Sequence, residues 1–275
     1  MNPLDIAKDA LRTVWSQKQL WLFGLFVAAG AGAPGARAES AGGNASAIPA
    51  WLVAVAVGAG VLGLVALAMH VVSEAALIEG VRRARDGGRL GIGEGMRLGA
   101  RTFWRVLGIK ALVFVAGLAS VVAVAAPAVL GAVGMIPLVA GLVAAGVLAL
   151  PLVLWLLTLQ FLHVYALRFA VLEGRGVTAA FRDARQHLHG RIADSLKLLV
   201  VTFVGRAGAG IFAPAVVLPA AAVGGIAYLV GGLVPALIGG AIVAVPLALA
   251  LTGALGTFES GVWTHGFLDA RSLRA

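Results

Sequence analysis

Four stretches of this chain carry no Asp, Glu, Lys or Arg: residues 19–36, 40–73, 111–167 and 207–258, which are 18, 34, 57 and 52 residues long. A helix needs about 20 predominantly apolar residues to cross the hydrocarbon of a bilayer. The first two stretches are therefore sized for one span each, and the third for two spans and a turn. That turn is expected at Pro127 and over residues 131–137, where Gly131, Gly134 and Pro137 interrupt helical propensity. Composition agrees: 61% of the 275 residues are hydrophobic and only 12% charged, about half the charge of an average soluble domain. A soluble enzyme is excluded. With no Cys in the sequence, disulfides, thiolate nucleophiles and Cys-based metal sites are excluded as well.

The fourth stretch parses in two ways. It can hold two spans by itself, leaving residues 198–205 as a separate short piece. Alternatively, a fifth span starts near Ile192, carries Arg206 within it and ends around Pro214 to Pro219. Orientation favours the second, because Lys and Arg mark the cytoplasmic side. With six spans and both termini inside, 19 of the 21 basic residues fall on one face, leaving Arg37 outside and Arg206 in the membrane. A seventh span would strand the basic C-terminus outside. The opening segment also has the look of a signal peptide: Lys8, Arg12 and Lys18, an apolar run, then Ala36-Arg37-Ala38. Its leader is long, however, and contains Asp5 and Asp9, which points to a first span instead.

Three stretches follow the even-numbered spans with a common pattern: Leu77-Ile78-Glu79-Gly80-Val81-Arg82, Val171-Leu172-Glu173-Gly174-Arg175 and Phe267-Leu268-Asp269-Ala270-Arg271, their acids 94 and 96 residues apart. An amphipathic segment precedes each odd span. Leu4, Ala7, Leu11 and Trp15 share one helical face. So do Ile92, Met96, Phe103 and Leu107, opposite a stripe of Arg97, Arg101 and Arg105. Val177, Phe181, Ala184, Leu188 and Ile192 form the third. Such helices are expected to lie in the membrane interface. The expected fold is thus all-α: a polytopic membrane helical bundle of six transmembrane helices, N-in and C-in. It forms one integral membrane domain over 1–275, built of three repeats (about 1–90, 91–175 and 176–275), each an amphipathic helix followed by a helical hairpin and an acid-containing turn.

Two segments resemble a large bacterial group of six-span membrane proteins. Asn2-Pro3-Leu4 through Leu20-Trp21-Leu22-Phe23-Gly24-Leu25, with a Gly/Ala-rich outer loop, is similar to that group's opening. Tyr165-Ala166-Leu167-Arg168-Phe169-Ala170-Val171-Leu172-Glu173-Gly174-Arg175-Gly176-Val177, followed by a basic helix, is similar to its central motif. The group includes the membrane domain attached to some glycerophosphodiester phosphodiesterases. The resemblance implies a six-span fold in a bacterial cytoplasmic membrane and brings no catalytic residues, since the phosphodiesterase domain has no counterpart here. Mitochondrial carriers also have three repeats, but their Pro-x-Asp/Glu-x-x-Lys/Arg motif is absent from this sequence.

Few polar residues remain to carry chemistry. Ionisable groups within spans are costly and point to function. Arg206 lies 15 residues after Arg191 and Glu259 ten before Asp269, which suggests an intramembrane pair between spans five and six. His70, Ser73 and Glu74 cluster near the inner end of span two, with His70 and Glu74 four apart on one face, placed for a hydrogen bond or proton relay. Gln160 and His163 sit at the comparable end of span four, and Thr264 and His265 on span six. The three histidines stand 9, 10 and 4 residues before their acids, so a threefold metal or proton ring is disfavoured against interhelical hydrogen bonds. His187 and His189 diverge by about 160° on a helix and cannot clamp one ion. Neither His-Glu-x-x-His, a phosphate-binding loop nor Gly-x-Ser-x-Gly occurs. No enzyme, cofactor or metal is expected.

The basic stretches from Arg82 to Arg105 and from Arg175 to Arg191 abut spans, so the expected partners are anionic lipid headgroups rather than nucleic acid. Arg97, Arg101, Arg105, Arg182 and Arg185 are the candidates. Glycines in the spans (Gly58, Gly60, Gly63, Gly141, Gly146, Gly231, Gly232, Gly239 and Gly240) predict close helix approach and a tight bundle. Two functions fit. One is a non-catalytic scaffold, partner-binding or lipid-interacting subunit, in which a protein partner or homo-oligomer would use the basic cytoplasmic face. The other is a small-solute or ion transporter or channel using Arg206 and Glu259, with spans four and six broken at Pro151 and Pro246.

Overall fold

The computed structural model describes residues 2–31 and 50–272, all in helices and short connections, with no strand among them. Arg37, the Ala36-Arg37-Ala38 stretch and the Gly/Ala-rich segment around it lie outside the described residues, as does Arg274. The helices in chain order are α1 (Pro3–Ser16), α2 (Leu20–Ala31), α3 (Ala50–Arg85), α4 (Ile92–Ala132), α5 (Leu138–Leu172), α6 (Val177–Leu188), α7 (Ile192–Ile211), α8 (Ala213–Gly231) and α9 (Leu233–Ser272). Five helical stretches are long and apolar enough to cross a membrane: Val55–Arg85, Ile92–Ala132, Leu138–Leu172, Ile192–Gly231 and Leu233–Ser272. The chain is an all-helical, multi-pass membrane protein.

Local chemistry explains most boundaries. Asn2 caps α1, its side-chain oxygen accepting from the Leu4 N–H at 3.2 Å, and Pro3 opens the helix where an N–H would have no partner. α4 and α5 are joined by residues 133–137, with Gly134 at φ +80°, and α8 gives way to α9 at Gly232, φ +78°. These left-handed positions suit glycine. Pro127, Pro151 and Pro246, by contrast, lie inside the continuous helices α4, α5 and α9. The expectation that Pro127 marks the turn and that Pro151 and Pro246 break their spans is therefore corrected. A proline removes one backbone bond, and the turns on either side keep the helix going. The turn of the last hairpin also comes later than expected: the chain runs past Pro214 and Pro219, both in α8, and turns at Gly232.

The chain divides into two compact units: residues 1–103 with 198–275, and residues 104–197. Within the first, α1, α2 and α3 all pack on α9, which also forms a hairpin with α8. The buried side chains gather where the apolar stretches end: Ile6, Ala10, Leu20, Phe23, Leu77, Ile78, Val262 and Phe267 are all buried. Trp51, Leu62, Ile226 and Leu237, in the middle of the apolar stretches, are exposed. The second unit repeats this division. Val106, Ile109, Leu167 and Ala180 are buried, whereas Phe114, Val147 and Leu150 are exposed. Exposed apolar side chains along spans meet lipid, which is as apolar as they are.

Close packing depends on glycines other than most of those singled out above. A Cβ on Gly24 would lie 2.8 Å from the Thr257 nitrogen, and one on Gly256 2.8 Å from the Gly24 carbonyl carbon. The α2 and α9 backbones thus touch directly, and the Thr257 hydroxyl donates across to Leu20 O at 3.1 Å. Gly141 approaches Pro127 of α4, and Gly239 and Gly240 approach α8. An added Cβ at Gly58, Gly60, Gly63 or Gly146 meets nothing within 4 Å. Those four glycines make no close contact, and the tight packing is confined to other positions.

On α1 the stripe of larger apolar residues faces away from the protein, and the other two amphipathic segments differ from expectation. α1 buries Ile6, Ala10, Thr13 and Val14, while Leu4, Leu11 and Trp15 point outward. Ala10 is small enough to sit 3.2 Å from a Cβ placed on Gly261 of α9, and bulkier Leu or Trp there would hold the helices apart. The second amphipathic segment is the first part of α4 rather than a separate helix, and Ile192 lies beyond the break at Gly190 (φ +81°), exposed at the start of α7. Of the three acid-containing stretches, only that of Glu173 and Gly174 (φ +66°) is a turn; Glu79 and Asp269 lie inside α3 and α9.

Overpacking a backbone crossing costs typically about 1–3 kcal/mol. Gly256→Leu should lower thermal stability in detergent by at least that much or abolish the folded protein, whereas Gly60→Leu should leave the melting temperature unchanged.

Candidate functional site

In the first unit, the charged ends of α3 and α9 and the face of α1 between them build a polar network. The His265 ring is buried, with Nε2 3.2 Å from the Thr13 hydroxyl, which itself donates to Asp9 O at 2.9 Å. The Thr13 proton is thus committed to its own helix, so His265 Nε2 donates to Thr13 and the imidazole is fixed as that tautomer. Arg85 reaches from α3 to α9, pairing with Asp269 at 2.6 Å and donating to His265 O at 3.4 Å. One turn earlier, buried Glu79 accepts from Arg82 Nε at 2.8 Å and Arg83 Nε at 3.0 Å, and Arg83 Nη1 continues to Glu94 of α4 at 2.8 Å. Gln17 Nε2 donates to Gly88 O at 3.0 Å and Trp21 Nε1 to Val14 O at 2.9 Å. These bonds tie α1 and the first turn of α2 to the end of α3.

His70 bonds through Nδ1 to Phe26 O on α2 at 2.9 Å. Ser73 is fully buried one turn on, and Glu74 is half-buried beside it. His163 stands half-buried on α5, in the second unit. Among the described residues no group of three His, Cys, Asp or Glu could hold a metal ion.

Arg206 of α7 and Glu259 of α9 form a bidentate pair: Nε donates to Oε1, and Nη2 donates to Oε2 at 2.9 Å. The carboxylate is largely covered, but the Arg206 side chain is 53% exposed. Gly205, next to it, lets Phe258 against the α7 backbone. The pair's place along the hairpin is symmetric. Arg206 lies 26 residues before Gly232 and Glu259 27 after it, each about 40 Å from the turn at 1.5 Å per residue. The two charges that bound the apolar stretch 207–258 therefore stand at the open end of its hairpin, on an α7 that starts at Ile192, as the second parsing has it, and runs through residues 198–205 without a break.

The second unit has its own buried polar group, of which sequence reasoning weighed only His187 as a candidate for chemistry. Tyr165 OH donates at 2.9 Å to the Ser195 hydroxyl, which donates onward to Arg191 O at 3.1 Å. His187 is buried on α6, its ring 4.9 Å from Tyr165 and 5.9 Å edge-on from Phe169. Arg168, counted among the surface charges by sequence, is buried and donates to Val164 O at 2.6 Å. Arg175 sits between Glu173 at 3.6 Å and Asp183 at 3.2 Å.

Two kinds stand out among the basic residues. Arg82, Arg83, Arg85, Arg175, Lys197 and Arg206 have carboxylate partners. Arg97, Arg101, Arg105, Arg182 and Arg185 are exposed, with no carboxylate within pairing distance among the described residues. Sequence missed the network of Thr13, Arg85 and Asp269, although a signal was present: Ile6, Ala10, Thr13 and Gln17 recur every three or four residues as a second, smaller-residue face of α1.

An ion pair this exposed is worth about 1 kcal/mol or less. Arg206→Ala and Glu259→Ala should each lower stability by about 1 kcal/mol, and the double variant should cost less than the sum of the two, as read from thermal unfolding in one detergent.

No protein-family model matches this sequence, and no curated protein or solved structure matches it either.

Proposed function

We propose that this chain is a non-catalytic integral membrane protein whose basic cytoplasmic face binds anionic lipid headgroups, as a lipid-interacting or partner-binding scaffold. The observation that carries this reading is the exposed set Arg97, Arg101, Arg105, Arg182 and Arg185, which no carboxylate of the described chain neutralises and which stands where apolar helix gives way to polar sequence. Trp104, 77% exposed among them, supplies an interfacial anchor. Near an anionic surface each such arginine contributes about 1 kcal/mol.

In this proposal the chain crosses a bacterial cytoplasmic membrane six times, N-in and C-in, as threefold amphipathic-helix and hairpin repeats, in the manner of the six-span group it resembles. The spans would be α2, α3, α4, α5, the α7–α8 pair and α9. The hydrocarbon core is about 30 Å thick and the bilayer with headgroups about 40–45 Å. With Gly232 at the outer surface, the roughly 40 Å to Arg206 and to Glu259 brings the pair to the inner headgroup layer. There its exposed guanidinium meets water and phosphate instead of hydrocarbon, and it serves to clasp the hairpin. This supports the scaffold reading over a transporter built on buried charges.

Because the sequence lacks Cys, single-Cys variants report topology directly. Met135→Cys and Leu233→Cys should react with a membrane-impermeant maleimide on intact cells, and Asp86→Cys and Gln186→Cys only after permeabilisation. The opposite pattern would refute the orientation. For function, the full chain in nanodiscs of mixed phosphatidylglycerol and phosphatidylcholine should enrich the anionic lipid among those it retains. Replacing the five arginines by Gln should abolish that enrichment. Equal retention of both lipids, or a solute flux into proteoliposomes that Glu259→Gln abolishes, would overturn the proposal.

A further inference from the structure

α1 carries apolar side chains that neither a span nor the protein interior accounts for. With 14 residues it is too short to cross a bilayer, and it packs through Ile6, Ala10 and Thr13. Yet Leu4 and Trp15 are each 67% exposed and Leu11 49%. At about 3.6 residues per turn, the exposed residues sort by kind around the helix. Leu11, Leu4 and Trp15 fall within about 40° of one another, and Lys8 and Arg12 come next. Asp5, Ser16 and Asp9 follow, with Asp9 about 160° from Leu11. The packed face stands opposite Lys8.

For a helix lying in the interface with its packed face against the bundle, the two remaining directions are toward hydrocarbon and toward water. The apolar stripe takes one and the acids the other. Lys8 and Arg12 point sideways between them, where long basic side chains reach headgroups. Trp15 shows which way the stripe faces. Its ring stands edge-on to that of Trp21, 6.2 Å away, and Trp21 is in the first turn of α2, where the apolar stretch begins. Trp21 Nε1 also donates to Val14 O at 2.9 Å, which holds the end of α1 there. Depth agrees. Ala10 rests against Gly261, 29 residues past Gly232. That is about 43 Å along the hairpin at 1.5 Å per residue, within the inner headgroup layer of a bilayer about 40–45 Å thick.

We infer that the outward face of α1 docks into the anionic cytoplasmic leaflet, with Leu4, Leu11 and Trp15 among the acyl chains and Lys8 and Arg12 on lipid phosphates. Three side chains fall far short of the about 20–30 residues a side that a stable protein interface engages, so a second copy is a poor occupant. The bordering cations select an anionic surface over a neutral one. The other face of α1 is bound to α9 through Ala10 and Thr13, and Gln17 ties it to Gly88 just past α3. α1 thus joins the leaflet to the two helices that the Arg85–Asp269 pair links. This inference rests on the six-span orientation proposed above, but it concerns a different surface from the five arginines.

The test uses the full chain in phosphatidylglycerol vesicles, with one nitroxide label attached through Leu4→Cys, Leu11→Cys, Asp5→Cys or Asp9→Cys in turn. It reads collisions of the label with dissolved oxygen, which concentrates in lipid, and with a nickel chelate, which stays in water. All four positions are exposed, so each variant should keep the wild-type melting temperature. The ratio of oxygen to chelate collisions should be severalfold higher for labels at Leu4 and Leu11 than for those at Asp5 and Asp9. Adding Lys8→Gln with Arg12→Gln should shift the Leu11 label toward the chelate and leave the enrichment of anionic lipid by the five arginines unchanged. Equal chelate access at Leu11 and Asp9 would overturn the inference, and with that enrichment intact would leave the headgroup reading standing. Spin–spin broadening between two copies at Leu11, with oxygen excluded, would overturn it in favour of a protein occupant. A Leu11 label that the two Gln substitutions leave unmoved would overturn the anionic partner.

Discussion

The packing of the first unit depends on one face of α9. Gly253, Gly256, Thr257, Gly261 and Thr264 follow one another at intervals of one to four residues, and all are buried. Along this face first the α2 backbone and then α1 come to rest, through Trp21 and Gly24 and then through Ala10. Lipid supplies no hydrophobic drive between helices, so contact is stabilised by dispersion over surfaces that fit and by hydrogen bonds that replace none to water. The Thr257 hydroxyl reaching Leu20 O and the His265 ring reaching Thr13 are bonds of that sort. Once α9 is placed, the ends of α1, α2 and α3 have little choice of position, and Arg85, Asp269, Glu79 and Arg83 are brought within reach of one another.

Much of this architecture is legible in the sequence. The runs of residues without charge locate the long apolar helices because a charged side chain in hydrocarbon is prohibitive. Gly134 marks a helix turn because few other residues take a positive φ without strain. What was not legible has a physical reason in each case. Pro151 and Pro246 look like helix breakers by propensity, yet propensity is measured in water, and in spans the neighbouring turns have no competing solvent to which to lose their bonds. Gly58 and Gly256 are indistinguishable as residues; only the arrival of a second helix at Gly256 makes one structural and the other idle. On α1 the stripe of Leu4, Leu11 and Trp15 stays outward, and close contact between helices uses the other face, Ile6, Ala10 and Thr13.

The polar residues were legible by position more than by role. Spacing placed Arg206 and Glu259 on helices that could meet, but counting from charges such as Arg191 and Asp269 put them inside the bilayer. Counting from Gly232 puts them at the hairpin's open end. The two reckonings differ because α7 begins well before its apolar part and α9 continues well past its own. Arg168 shows the converse error: a basic residue beside a span reads as a surface charge, but the turn at Gly174 folds α6 back against α5 and buries it.

The division of arginines into paired and unpaired then becomes informative about what lies outside the chain. A guanidinium between helices needs acceptors to offset its desolvation: Arg85 and Arg83 each have a carboxylate on another helix, and buried Arg168 donates to the Val164 carbonyl. An arginine facing water needs none, and surface pairs contribute so little that an exposed row such as Arg97 and Arg101 gains nothing in stability by standing so close to apolar helix. Like charges on adjacent turns of one helix cost a few tenths of a kcal/mol. Counter-charge from outside the chain would offset that cost, and in the proposed function, beside a stretch of exposed leucine, valine and phenylalanine, it is the anionic membrane surface that supplies it.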